Sequence, residues 1–241
     1  MQQKPIPILM YHSIADMPKG TVMRSLHVPP RLFKLQMWLL KVFGFKGLSM
    51  GELQPYLEGN KTGKVVGITF DDGFKNNLTS ALPILQKYGF TATNYIISKN
   101  IGGINHWDLD KGIPKNPLMD ENEVRQWINS GMEIGSHTQN HVRLAEIDIE
   151  LATKEIAKSK LDLEKQFDRP IEHFCYPYGS YNDEIVTISK RAGYITATTV
   201  NRGRAKSGDN PFTLPRVPIT HRTFIHLFLM KILSKYEDKH G

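Results

Sequence analysis

Short runs of apolar and β-branched residues alternate with segments of helical spacing, and this alternation limits the fold more than any other feature of the chain. Val65–Phe70 is a continuous run of the kind that is buried on both faces of a parallel sheet. A helical pattern follows at 78–88 and ends at Gly89, a typical helix stop. Strand and helix patterns in alternation predict a parallel sheet whose strands are connected by helices.

The same patterns divide the whole chain into elements. Strands are predicted at 6–11, 65–70, 91–97, 132–136, 171–176, 194–200 and 216–219. Helices are predicted at 29–43, 49–57, 78–88, 120–130, 146–167, 183–192 and, as an amphipathic C-terminal helix, about 221–236, with long loops at 100–117 and 201–211. No linker or repeat interrupts this order, so we expect one α/β domain over 1–241. Periodicity leaves open whether its sheet is an open one or a barrel, and in both cases ligands bind at the C-terminal ends of the strands.

Composition excludes several classes of protein. The 241 residues are 40% hydrophobic and 23% charged, which is ordinary for a globular chain. The net charge of +7 is spread along the sequence without a nucleic-acid-binding signature, so no nucleic-acid partner is expected. Cys175 is the only cysteine, which excludes an internal disulfide and a thiolate metal cluster. The chain shows neither a signal-peptide pattern nor about 18 consecutive apolar residues, and this predicts a cytoplasmic protein.

Two groups of polar residues follow predicted strands. Asp71 and Asp72 come directly after 65–70, and His137 and His141 come after 132–136. Two histidines four residues apart on a helical turn point the same way, and two histidines with a carboxylate form a common divalent metal site. Taken separately, the histidines could be capping residues and the aspartates an Asx turn. Because both groups end strands of one sheet, a metal site is favoured.

Three motifs give a resemblance to a known family. The segments 69–73 (TFDDG), 136–141 (SHTQNH) and 176–179 (YPYG) resemble, in order, the first three motifs of the polysaccharide deacetylase family, also called the NodB homology domain or carbohydrate esterase family 4. The resemblance extends from about residue 6 to 219. It implies a single-domain distorted (β/α)7 barrel and a metal-dependent N-deacetylase that hydrolyses the amide bond of N-acetylated amino sugars.

The resemblance also implies roles for individual residues. Asp72, His137 and His141 would bind a divalent metal, most simply zinc, with cobalt or nickel as alternatives. Asp71 would be the general base. The backbone N–H of Tyr178 would help to hold the oxyanion.

The sequence departs from the family pattern at several places. The third motif usually begins with an arginine that orients the base, and Cys175 stands there instead. We hypothesise that Arg216 supplies the missing charge by pairing with Asp71. The late motif that carries the catalytic acid is not evident near the C-terminus, but 8–12 (ILMYH) resembles it at the N-terminus, as in the circularly permuted branch that includes poly-N-acetylglucosamine deacetylases. His12 is then the predicted general acid, with His221 as the alternative.

Substrate contacts are predicted from the loops. Trp107 and Tyr178 are aromatic residues able to stack on a sugar ring, and with Pro177 of the third motif they are the candidate substrate-binding residues. The loops 100–117 and 201–211 are expected to overhang the catalytic edge. The expected substrate is an N-acetylated polysaccharide, oligosaccharide or lipid-linked glycan. A non-catalytic carbohydrate-binding protein is the alternative function: the missing arginine favours it, and the presence of Asp71 opposes it.

The C-terminal helix allows two interpretations. It carries many apolar residues with Lys231, Lys235 and Lys239 beside them, a pattern found in helices that lie in a membrane interface. It could equally cover the barrel. The first interpretation predicts a peripheral position at the inner membrane face. The sequence does not indicate an oligomeric state.

Overall fold

The computed structural model describes residues 4–239, so positions 1–3 and 240–241 of the predicted domain lie outside the described residues. Within 4–239 the chain alternates strands and helices as the sequence predicts. The strands are β1 Ile8–Tyr11, β2 Lys46–Leu48, β3 Val65–Phe70, β4 Thr93–Ile96, β5 Glu133–Ser136, β6 His173–Cys175, β7 Thr196–Arg202 and β8 Leu214–Pro218. The helices are α1 Pro30–Val42, α2 Met50–Leu57, α3 Leu82–Tyr88, α4 Glu121–Asn129, α5 Ile149–Phe167, α6 Asp183–Arg191 and α7 Ile225–Leu233.

Seven parallel strands close into a barrel. Their order is β1-β8-β7-β6-β5-β4-β3, and β3 returns to pair with β1. The closing register sets Ile8 beside Gly67 and Tyr11 beside Phe70. The short strand β2 pairs with the first half of β3 outside this ring. The fold is therefore the distorted (β/α)7 barrel in a single domain, and the C-terminal ends of its strands meet at one edge.

Several element boundaries differ from the prediction for local reasons. The helix predicted at 146–167 begins at Ile149, because Asp148 accepts hydrogen bonds from the N–H groups of Glu150 and Leu151 and caps it there. The helix predicted at 78–88 starts with a π-turn at Asn77–Ala81. Strand β2 was not predicted, because three residues are too few to show a period.

The loop predicted at 201–211 overlaps β7 and turns away from the pocket edge of the barrel. Strand β7 extends to Arg202, and the chain then returns to the opposite end of the barrel, where Ala205 pairs with Ile6 just before β1. Lys206, Gly208, Asp209 and Pro211 line a cavity with Thr196, the first residue of β7. The expectation that this loop overhangs the catalytic edge was wrong. With no helix between the two strands, the loop itself must carry the chain back to the start of parallel strand β8.

The C-terminal segment is fixed by charged pairs. Helix α7 ends at Leu233, before the predicted 236. Lys231 is buried and pairs with the buried carboxylate of Glu237, which also accepts two hydrogen bonds from Arg202. Lys231 is thus not part of an exposed basic face. None of the helices in residues 4–239 combines the length and the apolar character that crossing a bilayer requires.

Candidate active site

One pocket at the C-terminal edge of the barrel collects most of the predicted site residues. Its volume is about 320 Å³. The predicted residues that line it are His12 after β1, Asp71 and Asp72 after β3, His137 and His141 after β5, and Tyr178 after β6. Four separate strands therefore deliver the site, which explains why residues far apart in the sequence become neighbours.

Asp72, His137 and His141 form a compact set of potential metal ligands. Asp72 Oδ1 lies 3.2 Å from His141 Nε2 and 3.5 Å from His137 Nε2, and all three side chains are buried. Oδ1 has no hydrogen-bond partner of acceptable geometry. A buried carboxylate oxygen without a partner costs free energy, and a cation between the three side chains would remove that cost. The residues present therefore fit a divalent cation.

The orientation of His137 supports the same interpretation. Its Nδ1 lies 2.7 Å from the backbone carbonyl oxygen of Cys175. A carbonyl only accepts, so Nδ1 carries a hydrogen, and Nε2 is the ring nitrogen that faces Asp72 and is placed to bind a metal. Such a hydrogen bond behind a histidine is the usual device for orienting a metal ligand.

The backbone around these residues is strained. Four of the six non-glycine residues with positive φ in 4–239 belong to the three site motifs: Asp72 (73°), Thr138 (66°), His141 (58°) and Tyr178 (57°). Residues in this region cost about 1–3 kcal/mol each and persist where the surrounding structure holds them. The site motifs therefore use left-handed turns to aim their side chains and backbone groups into the pocket.

Glu155 holds one of these turns and was not predicted. It lies on the buried face of α5 and accepts hydrogen bonds from the backbone N–H groups of Gln139 and Asn140, each at 2.9 Å. Within the same turn, the His141 N–H donates a hydrogen bond to Thr138 Oγ1. A carboxylate among the inward-facing positions of α5 was the available sequence signal, because such a residue needs partners when buried.

Asp71 is paired with Arg216, as hypothesised. Two guanidinium nitrogens of Arg216 donate to the two carboxylate oxygens, both at 2.7 Å, and Arg216 is fully buried. Arg216 also donates from Nε to the Thr199 carbonyl oxygen and from Nη1 to Thr69 Oγ1. Burial would raise the pKa of Asp71, but the charge and hydrogen bonds of Arg216 hold that pKa below its usual range. Asp71 is therefore an ionised carboxylate.

The arginine of β8 also explains the cysteine of β6. Cys175 Sγ lies 3.2 Å from Arg216 Nη2, so the guanidinium of Arg216 occupies the space beside the small side chain at 175. Asp71, His137 and Cys175 also have potential ligand atoms within 4.8 Å of one another. A cation held there would face the positive charge of Arg216, so this second set does not suit a metal.

His12, and not His221, reaches the pocket. His12 Nε2 lies 3.8 Å from Asp71 Oδ2, and the side chain is 20% exposed. His221 does not line the pocket. The neighbouring His27 is held by Ser13 Oγ at 2.7 Å, and burial together with the charge of His12 lowers the pKa of His27 to about 4. His12 is therefore the pocket imidazole that lies beside Asp71 and outside the Asp72, His137 and His141 set.

The predicted substrate-binding residues are placed differently from one another. The rings of Trp107 and Tyr178 lie 4.6 and 4.5 Å from that of His141, and Tyr178 also contacts Arg143, whose guanidinium is 4.2 Å from the ring centre. Pro177 is buried and starts the turn that presents Tyr178. Of the three, only Tyr178 lines the pocket.

Three charged residues at the pocket were missed in the sequence. Asp108 and Lys111 come from the loop 100–117, where Lys111 Nζ donates to Asp108 Oδ1 at 2.9 Å, and Arg143 follows the second motif. The expectation that loop 100–117 overhangs the site is confirmed. The single residues could not be identified, because a loop sequence does not show which side chains turn inward.

Comparison with known proteins agrees with this geometry. The family model described as "Polysaccharide deacetylase" matches residues 58–197, more than half of the chain. The chain is similar to the Streptococcus pyogenes deacetylase PplD, solved in complex with acetate, with 31% identity and a TM-score of 0.82 over 95% of this chain and 99% of that one. It is also similar to a polysaccharide deacetylase from Bacillus cereus, with 30% identity and a TM-score of 0.80 over 95% of this chain and 69% of that one.

A further relative has a name that states its substrate. The poly-β-1,6-N-acetyl-D-glucosamine N-deacetylase of Staphylococcus aureus is 28% identical over 205 residues, which cover 81% of this chain and 68% of the relative.

Proposed function

Because this chain belongs to the polysaccharide deacetylase family, we propose that it hydrolyses the acetamido group of N-acetylated amino sugars in a glycan. The products are acetate and a free amino sugar. One observation carries the proposal: the ionised Asp71, fixed by two hydrogen bonds from Arg216, stands beside the Asp72, His137 and His141 ligand set in the same pocket.

Asp72, His137 and His141 would hold the metal. Two imidazoles and one carboxylate suit zinc, and cobalt or nickel have similar preferences. A bound divalent cation would supply Lewis acidity, polarising the acetamido carbonyl and lowering the pKa of a nearby water.

The residues of the chain perform the proton transfers. Asp71 accepts the proton of the attacking water, and Arg216 keeps this carboxylate ionised between turnovers. The Tyr178 backbone N–H, presented by its left-handed turn, stabilises the developing oxyanion. Protonated His12, whose Nε2 lies 3.8 Å from Asp71 Oδ2, donates to the leaving amine.

The alternative of a non-catalytic carbohydrate-binding protein has weaker support. It rested on the missing arginine of the third motif, and Arg216 fills that role from another strand. A binding protein has no need for an ionised carboxylate 3.8 Å from a histidine inside a pocket. The arrangement therefore favours catalysis.

Acetate release from N-acetylglucosamine oligomers tests the proposal. The wild type should release acetate with zinc or cobalt and stop with EDTA, and Asp71→Asn should lose about 10³-fold in rate, the usual contribution of a general base. Zinc binding, measured by calorimetry in both proteins, shows that the variant keeps its metal site. Zinc binding without acetate release from any N-acetylated glycan tried would overturn the catalytic assignment and favour the binding protein.

A further inference from the structure

Exposed apolar side chains are concentrated on two helices, α1 and α7, and none of these side chains lines the pocket. Residues 4–239 contain twelve large apolar side chains that are clearly exposed, with Val42 at 59% and Phe224 at 57%. Seven of the twelve lie on α1, on α7 or on the residue beside one of their ends: Trp38, Val42, Phe43, Phe224, Ile225, Met230 and Leu233. We call them the α1–α7 face. Exposed apolar clusters of this kind mark interaction surfaces.

The two helices form one continuous support for this face. Helix α1 packs against α7, and Gln36 in α1 donates a hydrogen bond to the Thr223 carbonyl oxygen just before α7. Phe33 and Leu40 of α1 and Phe228 of α7 point inward and are buried. Both helices therefore contribute other apolar residues to the core, and core packing does not explain the exposed apolar side chains of the face.

The charged side chains of the two helices have one sign. Helices α1 and α7 contain no aspartate or glutamate. Arg31, Lys34 and Lys41 are exposed and lie on the same side of α1 as Trp38, three to seven residues away, so an aromatic side chain is surrounded by cations. An apolar helix face with tryptophan and flanking lysines is the pattern of helices that lie at a lipid–water interface.

We propose that the α1–α7 face docks on the surface of an anionic lipid bilayer. Trp38 and the exposed residues of α7 would enter the headgroup boundary, while Arg31, Lys34 and Lys41 would contact lipid phosphates. A second copy of the chain fits less well, because a two-fold interface would set these three cations against the same cations of the partner. No residue of the face lines the pocket, so docking leaves the pocket open.

Vesicle co-sedimentation tests the charge requirement with the full chain. Binding should be clear on phosphatidylcholine vesicles with about a third phosphatidylglycerol, weaker in high salt and weaker on pure phosphatidylcholine. The double variant Lys34→Glu, Lys41→Glu should lose at least about tenfold in affinity. The matched control is Lys154→Glu, Lys158→Glu, two exposed lysines one turn apart on α5 beside the exposed Leu161, and it should bind like the wild type.

Tryptophan fluorescence tests the apolar part independently of enzyme activity. Trp38 emission should shift to shorter wavelength on anionic vesicles, and Trp38→Phe should remove the shift while Trp107→Phe keeps it. Equal loss of binding in the α1 and α5 double variants, or no binding to anionic vesicles, would overturn the proposal. A dimeric mass in light scattering that Trp38→Ser reduces to a monomer would assign the face to a second copy instead.

Discussion

Carboxylate and imidazole groups meet at both ends of the barrel, and the two clusters differ in how the carboxylate is satisfied. At the pocket end, Asp72 faces His137 and His141. At the opposite end, Glu133 opens β5 and its Oε1 lies 3.4 Å from Nε2 of His173, which opens β6. Residue types alone would make both clusters candidate sites.

The surroundings separate the two clusters. Glu133 Oε2 accepts hydrogen bonds from the Gly51 N–H at 3.1 Å and from the Thr93 hydroxyl. Asp72 has an oxygen with no such partner and a left-handed backbone. A carboxylate that the protein satisfies itself stabilises the fold, whereas one left without a partner on a strained turn is prepared for a ligand. The following predictions test this difference, beginning with the largest effect.

Removing the charge of Asp72 should give the largest difference between the two clusters, in the stability that zinc adds. Zinc at about 100 times its Kd should add about 2.7 kcal/mol to the unfolding free energy of the wild type. Asp72→Asn should lose this gain, because a carboxylate ligand is missing. Thermal unfolding with and without zinc measures this increase in stability, and Glu133→Gln should keep the full increase. If both variants respond to zinc equally, the contrast between the two carboxylates fails.

Glu133→Gln should act on stability alone. Burial raises the pKa of Glu133, but His173, Thr93 and Gly51 outweigh it and hold that pKa below its usual range. The ionised group therefore stabilises the fold above its unfolded pKa, and this contribution disappears as the pH falls through the folded value. We expect a loss of about 2 kcal/mol at neutral pH, weaker pH dependence of unfolding in acid, and unchanged turnover. A drop in turnover per folded molecule would give Glu133 a catalytic part.

Arg216→Lys should shift the pH dependence of activity. The variant keeps a charge but loses the two parallel hydrogen bonds to Asp71, so the pKa of Asp71 should rise and the acid limb of kcat/KM should move to higher pH. At neutral pH we expect a decrease of about tenfold. An unshifted acid limb would show that Arg216 only fills space.

The smallest effect comes from a matched pair of hydroxyls. Thr69 accepts a hydrogen bond from Arg216, and Thr196 lies 2.8 Å from Nδ1 of His173 at the other end. Thr69→Val and Thr196→Val should each cost about 1 kcal/mol of stability. Only Thr69→Val should also lower kcat, because only that hydroxyl supports the group that holds Asp71. Parallel urea denaturation and initial-rate measurements would show whether kcat responds in one variant or in both.

The sequence predicted the strands and the central residues because their signals are local, whereas the closed barrel followed only from the resemblance to the family. Strand ends followed by aspartates or histidines are visible in short windows, and Arg216 could be inferred from the gap that Cys175 leaves in the third motif. Glu155 and Arg143 act through distant partners, so only the folded chain shows their contacts. The prediction that Lys231 lies on an exposed basic face was wrong for the same reason, since its partner Glu237 lies beyond the end of the helix.

The pairing of Asp71 with Arg216 also sets the order in which the site is completed. These residues are 145 positions apart, whereas Asp72 and both histidines belong to the first 141 residues. Because the N-terminal part of a chain leaves the ribosome first, the three proposed metal ligands emerge well before the arginine that fixes Asp71. Contacts of such long sequence separation form late in folding. A growing chain would therefore have its ligand residues available before its base is fixed, and catalytic competence would arrive with the last strand.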